Sequence, residues 1–284
     1  MLAVFESAIG RPPKELGLGS GARPSLNTRE NISEHLPNDN FLAVSHEDES
    51  LTQARYRDET FPFKAHEFGV QILVFIDTEN ICDTIVTPFH LIWFVCIRSL
   101  VVMDEIFCIF TGILNNTCDL RRHYGLSRQA TEAMVVVEAY RVLRDRAPYP
   151  PDQVIRDLDG KFAFILFDAK ASNLFLARDR GGSVQLHWGM AGDGSLVCSD
   201  DPKIIAEACG KCYTPFPPGC IFLSGNGLIS FDHPLHKVKA ILREDDQGEV
   251  SAVIFQVDLY TKLRSIPRTG SAANWANVAV VEGE

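Results

Sequence analysis

Residues 160–189 read GKFAFILFDAKASNLFLARDRGGSVQLHWG, and this stretch decides the fold. An apolar run at 162–167 is followed by a polar turn at 168–173 and a second apolar run at 174–177, which predicts a hairpin of two strands. Further short apolar runs follow on the carboxyl side, separated by Gly- and Pro-rich turns, at 184–188, 196–199, 220–223 and 228–231. The pattern is typical of an antiparallel meander.

Helical patterns lie on both sides of this hairpin. Apolar residues spaced for one helical face predict a helix at 127–144 with Ser127 as its cap. A second helix is predicted at 151–158, where a proline suits the first turn, and a third at 202–208. The cap of the third helix is one of three residues, Ser199, Asp200 or Asp201. Helices and strands in separate runs indicate an α+β domain built in layers.

The chain begins with the apolar stretch MLAVF, although chain ends usually fray unless a strand or helix holds them. Residues 1–5 therefore predict a strand buried inside a sheet. Apolar runs at 101–103 and 106–110 predict another hairpin, with its turn at Asp104 and Glu105, and 253–257 predicts one last strand.

Composition excludes several classes of function. The net charge of −10 opposes binding to a phosphate backbone or an anionic membrane, so we expect no nucleic-acid partner. The longest uncharged run, between Asp83 and Arg98, is shorter than the roughly 18–20 residues of a membrane span. With no secretion signal, we expect location in the cytosol or the nucleus and reduced thiols at the eight cysteines.

The order of three segments resembles the glutaminase domain of asparagine synthetase and other class II glutamine amidotransferases. These segments are the quoted stretch, GSLVCSDD at 194–201 and FPPGCIFLSGNGLISF at 216–231. The resemblance implies an Ntn-hydrolase-like fold, which is a four-layer αββα sandwich of antiparallel sheets whose first strand starts at the amino terminus.

Two further motifs are similar to a plant group described as aluminium-induced proteins with YGL and LRDR motifs. They are Tyr124, Gly125 and Leu126, and then Leu143, Arg144, Asp145 and Arg146. The resemblance implies an amidotransferase-like domain at 1–235, a partly flexible extension at 236–284 and a role in a stress or growth response. An apolar insertion at about 54–98 has no counterpart in the group, and it either packs on the sheet, binds a partner or promotes aggregation.

In the amidotransferase class a cysteine at the mature amino terminus is the nucleophile, and its free amine transfers the proton. Here Met1 and Leu2 carry neither a thiol nor a hydroxyl, and leucine is too large for ordinary removal of the initiator methionine. The resemblance aligns the class's Asn-Gly-Glu substrate motif with Thr111, Gly112 and Ile113, so a carboxylate for the substrate amine is missing.

Other pocket positions implied by the resemblance are Ala130, where the class has an aspartate, and Arg178 with Asp179. We therefore expect no catalytic residue and no cofactor, and a protein that acts through homo-oligomer formation or an unknown protein partner. Two alternatives stay open: an active amidohydrolase that uses Thr111, Cys108 or a processed terminus as nucleophile, and a scaffold or interaction module.

Two remaining motifs are assigned structural roles. Cys209 and Cys212 have the spacing of half a zinc site, but no second pair stands at a matching distance, so no metal is expected. The charged residues of LRDR suit the end of a helix, where arginine faces the helix dipole and pairs with a neighbouring carboxylate. The alternative for this motif is a site for an anion or a partner.

Overall fold

The computed structural model describes residues 1–18, 41–46, 63–65, 70–75, 98–145, 151–232, 237–244, 246, 248 and 250–258, and of the three short ranges from 41 to 75 it describes the backbone only. The elements in chain order are β1 (Leu2–Phe5), α1 (Ser7–Gly10), β2 (Phe41–His46), β3 (Phe63–Ala65), β4 (Val70–Phe75), β5 (Arg98–Met103), β6 (Ile106–Leu114), α2 (Thr117–His123), α3 (Glu132–Asp145), α4 (Pro151–Arg156), β7 (Gly160–Asp168), β8 (Asn173–Arg178), β9 (His187–Met190), β10 (Leu196–Ser199), α5 (Pro202–Cys209), β11 (Tyr213–Pro215), β12 (Cys220–Leu223), β13 (Gly227–Ser230), β14 (Val238–Glu244) and β15 (Val250–Val257).

The strands form two large sheets and one small hairpin. The first sheet has the order β11-β9-β10-β1-β2-β4-β3, and the second has the order β13-β12-β8-β7-β6-β5. The hairpin β14–β15 is a separate two-stranded sheet. Helix α3 packs on β5 and β6 of the second sheet, while α5 packs on β9 and β10 of the first.

Three apolar clusters fill the spaces between these layers. Between the two sheets lies a cluster that includes Met1, Phe107 and Trp188. A second cluster, between the second sheet and the helices α3 and α4, includes Phe164, and a third, between the first sheet and α5, includes Leu2. The order helix, sheet, sheet, helix is the four-layer αββα sandwich predicted from the sequence.

Strand β7 shows why the quoted stretch is so apolar. Its residues alternate between two clusters, with Ala163, Ile165 and Phe167 between the sheets and Phe162 facing the helices. A strand that is buried on both faces reads as a continuous apolar run. Strand β1 is buried on both faces in the same way.

Several sequence predictions are confirmed with changed limits. The helix predicted at 127–144 begins at Glu132, because 127–130 form a turn in which the Ala130 N–H donates to the Ser127 carbonyl. The second helix ends at Arg156 rather than at 158. The strand predicted from residue 184 begins at His187, since the preceding backbone N–H groups donate to the Asp179 carboxylate.

The cap of α5 is Asp201, whose carboxylate accepts the Lys203 N–H at 2.8 Å. Seven of the elements given above were not predicted, namely α1, β2, β3, β4, α2, β11 and β14. The sheets are antiparallel as predicted except at one pair, since β1 and β2 run parallel with Leu2 opposite Phe41. Residues 6–40 connect these strands, so the chain has enough length to cross over.

The strand predicted at 253–257 is part of β15, and it belongs to the interior. Val253 and Phe255 are buried in the cluster between the sheets, although they follow residue 235. The domain boundary at 235 and 236 stays a prediction. The insertion at 54–98 lies mainly outside the described residues.

Candidate functional site

Met1 lies at the head of β1, between β10 and β2 of the first sheet. The residue is 1% exposed, and its ammonium donates to Asp200 Oδ1 at 2.6 Å. Its carbonyl accepts the Ser199 hydroxyl at 3.1 Å and the Asp200 N–H at 3.4 Å. Both polar ends of the first residue are therefore bonded to the 199–200 turn that follows β10.

Thr111 faces Met1 from the opposite sheet. Its hydroxyl donates to Met1 Sδ at 3.5 Å, and the residue is 1% exposed. Leu2 points the other way, into the apolar cluster that covers α5. The structure therefore brings together two of the predicted site residues, Met1 and Thr111, and it separates Leu2 from them.

Gly112 and Ile113 follow Thr111 along β6. Gly112 has φ +125°, and a Cβ there would lie 2.0 Å from the Lys161 carbonyl oxygen, so only glycine fits. Ile113 is 41% exposed and presents hydrocarbon where the resemblance places a carboxylate. Ala130 is buried, and its carbonyl accepts Arg121 Nε at 2.8 Å. The side chains at 113 and 130 offer no charge to a substrate amine.

Arg178 and Asp179 hold the turn between β8 and β9. The guanidinium of Arg178 donates to three carbonyls, those of Val184, Phe216 and Gly182, at 2.6–2.7 Å. Burial lowers the pKa of Arg178, and the nearby Asp179 carboxylate opposes this shift. Asp179 accepts the Ser183 N–H at 3.0 Å. The assignment of these two residues to a ligand pocket stays a prediction, and the contacts seen here are with the protein's own backbone.

The YGL motif ends helix α2. Gly125 has φ +66°, its N–H donates to the Arg122 carbonyl at 3.4 Å, and the Leu126 N–H donates to the Arg121 carbonyl at 2.8 Å. This pair of bonds around a left-handed residue is a Schellman motif. Leu126 and Tyr124 pack against the cluster beneath α3. The motif therefore fixes the direction in which the chain leaves α2.

The LRDR motif ends helix α3, with Arg146 outside the described residues. Arg144 Nε pairs with Asp145 at 3.0 Å, as the sequence predicts, and Nη1 also pairs with Asp168 at 3.1 Å. Asp168 is fully buried at the end of β7, where its carboxylate accepts the Tyr140 hydroxyl at 3.1 Å and the Ala171 N–H at 3.0 Å. The motif thus ties α3 to the turn between β7 and β8.

The described cysteines are free thiols, and most are buried. Burial raises the pKa of Cys108, Cys198 and Cys209 far above its ordinary range, and that of Cys220 to about 12. Cys108 lies on the helix side of β6, away from Met1. Such thiols stay protonated at neutral pH and are poor nucleophiles.

The described residues contain neither a metal-binding cluster nor a membrane-spanning helix. No group of three or more His, Cys, Asp and Glu side chains in this part of the chain is placed to hold a metal ion. Within the same residues, no helix combines the length and the apolar character needed to cross a bilayer.

Sequence reasoning missed two residues that organise the site. The sequence predicts Asp200 only as a possible helix cap, whereas in the structure it binds the Met1 ammonium. It predicts Asp168 in a polar turn, whereas in the structure this residue is buried. A weak signal existed for each. Asp200 follows a predicted strand directly, and Asp168 ends the longest apolar run of the quoted stretch.

Part of the chain is similar in sequence to glutamine-hydrolysing asparagine synthetases. The chain is 42% identical over 73 residues to a probable glutamine-hydrolysing asparagine synthetase of Dictyostelium discoideum. The matched stretch covers 26% of this chain and 13% of that protein. A solved structure of the glutamine phosphoribosylpyrophosphate amidotransferase of B. subtilis, with ADP and GMP, matches with a TM-score of 0.38 and 17% identity, over 56% of this chain and 35% of that one.

A narrower relationship is also present. A family model described as "Aluminium induced protein" matches residues 93–257, so the chain belongs to the aluminium-induced protein family. It is 49% identical over 192 residues to the stem-specific protein TSJT1 of Nicotiana tabacum, which covers 63% of this chain and the full length of that protein.

Proposed function

We propose that this protein is a glutamine amidotransferase-like domain that does not hydrolyse glutamine and acts by binding or self-association. The observation that carries the proposal is the environment of Met1. Acyl transfer from an amide needs an activated nucleophile and a base. At the head of β1 the side chain is a thioether, which has no proton to lose, and the amine is bonded as an ammonium to Asp200 at 2.6 Å.

The other candidate nucleophiles are poorly placed for this chemistry. The Thr111 hydroxyl donates to the Met1 sulfur and is 1% exposed. Cys108 is fully buried on the far face of the same strand, and burial raises its pKa. Substrate binding is weakened as well, since Ile113 replaces a charge partner worth about 1.5–3 kcal/mol as a charged hydrogen bond.

A glutaminase assay tests the proposal. Purified full-length protein is incubated with glutamine while ammonia and glutamate are measured, and mass spectrometry identifies the first residue. We expect Met1 to be retained and ammonia to stay at the level of the buffer. Release of ammonia above that level by the natural chain would overturn the proposal.

A variant with an extra Cys between Met1 and Leu2 is the matched control. Removal of the initiator then places a cysteine at the position of Met1, in the same strand register and facing Thr111. We expect this variant to react with a glutamine-directed affinity label far better than the natural chain does. Its labelling would show that the probe reaches the head of β1, so a negative result for the natural chain would be meaningful.

We further propose a role in the aluminium-responsive or stress setting that the family description indicates. Size-exclusion chromatography with light scattering tests self-association, and affinity capture with and without residues 54–98 tests for a protein partner. A chain that is monomeric and captures nothing specific would contradict action by binding or self-association.

A further inference from the structure

Two buried polar atoms on neighbouring strands have no hydrogen-bond partner among the described residues. They are Trp188 Nε1 on β9 and Thr214 Oγ1 on β11. Trp188 is fully buried and Thr214 is 2% exposed. Orphaned buried groups of this kind are rare, because each costs free energy comparable to a lost hydrogen bond.

The strand register places these two groups on one face of the sheet. Thr214 is directly opposite Trp188 in the antiparallel pair β9–β11, and opposite residues of such a pair share a face. Trp188 belongs to the apolar cluster between the two sheets, so both groups point into that space. His187 also has a ring nitrogen with no partner in the described part of the chain, but as the preceding residue it faces the α5 side.

The surroundings of the two groups are aromatic. The rings of Phe216, Phe222 and Phe255 lie 5.0, 5.3 and 5.2 Å from that of Trp188, centroid to centroid. A charged guest would lose its hydration here without gaining a counter-charge from these rings. An indole N–H only donates, whereas a threonine hydroxyl donates or accepts, so one oxygen atom can satisfy both groups.

We propose that Trp188 and Thr214 form an internal site for one water molecule, held between the two sheets and bridging the indole N–H and the hydroxyl. Buried waters of folded proteins typically bond to two to four otherwise unsatisfied polar groups. The hairpin β14–β15 covers the site through Phe255. This hairpin is a two-stranded sheet of its own, so exchange of the water through a loosening of its packing on Trp188 needs no strand of the two large sheets to separate.

A pair of isosteric variants tests the site through stability. If the Thr214 hydroxyl bonds to a bound water, Thr214→Val lowers the melting temperature by about 2–4 °C, the usual effect of one lost hydrogen bond in a chain of this size. Thr117→Val is the matched control, since the Thr117 hydroxyl is also buried and donates to the Leu114 carbonyl at 2.8 Å. A truly orphaned hydroxyl predicts the opposite result, an unchanged or higher melting temperature for Thr214→Val.

Nuclear magnetic resonance tests the site directly in a Trp93→Phe, Trp275→Phe background that leaves Trp188 as the single indole. We expect a cross-peak between its Nε1–H and water, with the sign of a long-lived bound molecule, and faster exchange in Phe255→Ala. Absence of that cross-peak would overturn the proposal, as would a Thr214→Val variant that is at least as stable as the natural chain.

Discussion

Replacing Arg144 by Met removes the cation that faces a fully buried carboxylate. Arg144 lies 3.1 Å from Asp168, with the arginine side chain 26% exposed and the aspartate side chain 0% exposed. Removal of one partner from a buried ion pair usually costs about 3–5 kcal/mol. Here the Tyr140 hydroxyl and the Ala171 N–H still donate to Asp168, and Arg144 is partly solvated, so we expect about 2–3 kcal/mol.

Urea denaturation followed by circular dichroism measures this loss, and a double-mutant cycle with Asp168→Asn isolates the pair. We expect a coupling energy of about 1–2 kcal/mol between the two positions. The matched control is Arg180→Met, which breaks the Arg180–Asp232 pair at 2.7 Å, where both side chains are well exposed. That pair should contribute about 0–1 kcal/mol.

Equal and small losses for Arg144→Met and Arg180→Met would refute the reasoning. The buried ion pair would then not explain why the LRDR motif carries this arginine. The alternative kept open by the sequence, an anion or partner site at the end of α3, would become the better explanation.

Three further predictions concern backbone strain, pH and thiol reactivity. Gly125→Ala should lower the free energy of unfolding in urea by about 1–2 kcal/mol, because Gly125 has φ +66°. Gly225→Ala is the control and should be neutral, since that glycine has equally open surroundings but no positive φ. Equal effects of the two substitutions would contradict the Schellman assignment. Burial lowers the pKa of His187 from 6.5, because the folded chain favours the neutral imidazole. The stability that His187 contributes is therefore complete above pH 6.5 and is lost as the pH falls below that value. The melting temperature of the natural chain should therefore fall relative to His187→Gln between pH 7 and 5, and a constant difference would contradict this. Iodoacetamide at pH 8 should modify exposed Cys118 and spare Cys108 in the folded chain, as mapped by peptide mass spectrometry; equal rates would show that Cys108 is accessible.

Burial on both faces explains which strands could be predicted from the sequence. Strands β7 and β8 carry apolar residues at nearly every position, because one face meets the other sheet and the opposite face meets the helices. Helix α2 and strand β14 lack that signal, since much of their surface is exposed. The parallel pairing of β1 with β2 had no local signal either, since it depends on the path of 6–40 rather than on the composition of either strand.

The site was predictable as a set of residue types but not as a set of contacts. The absence of a thiol or hydroxyl at Met1 and Leu2 and the apolar side chain at Ile113 can be read from the sequence. The Met1–Asp200 bond cannot, because it follows from the strand register that places Leu2 opposite Ser199, and the two bonded residues are 199 positions apart in the sequence.

The described residues of the YGL and LRDR motifs help to hold the fold. The YGL motif closes a helix, the LRDR motif ties a helix to a buried carboxylate, and Arg178 binds three backbone carbonyls. None of these contacts involves residue 1. At the head of β1, by contrast, the first residue is sealed between the sheets by its own ammonium and sulfur contacts. A ligand or partner of this protein must therefore bind at a place other than the head of β1, or it must first displace Met1 from Asp200 and Thr111.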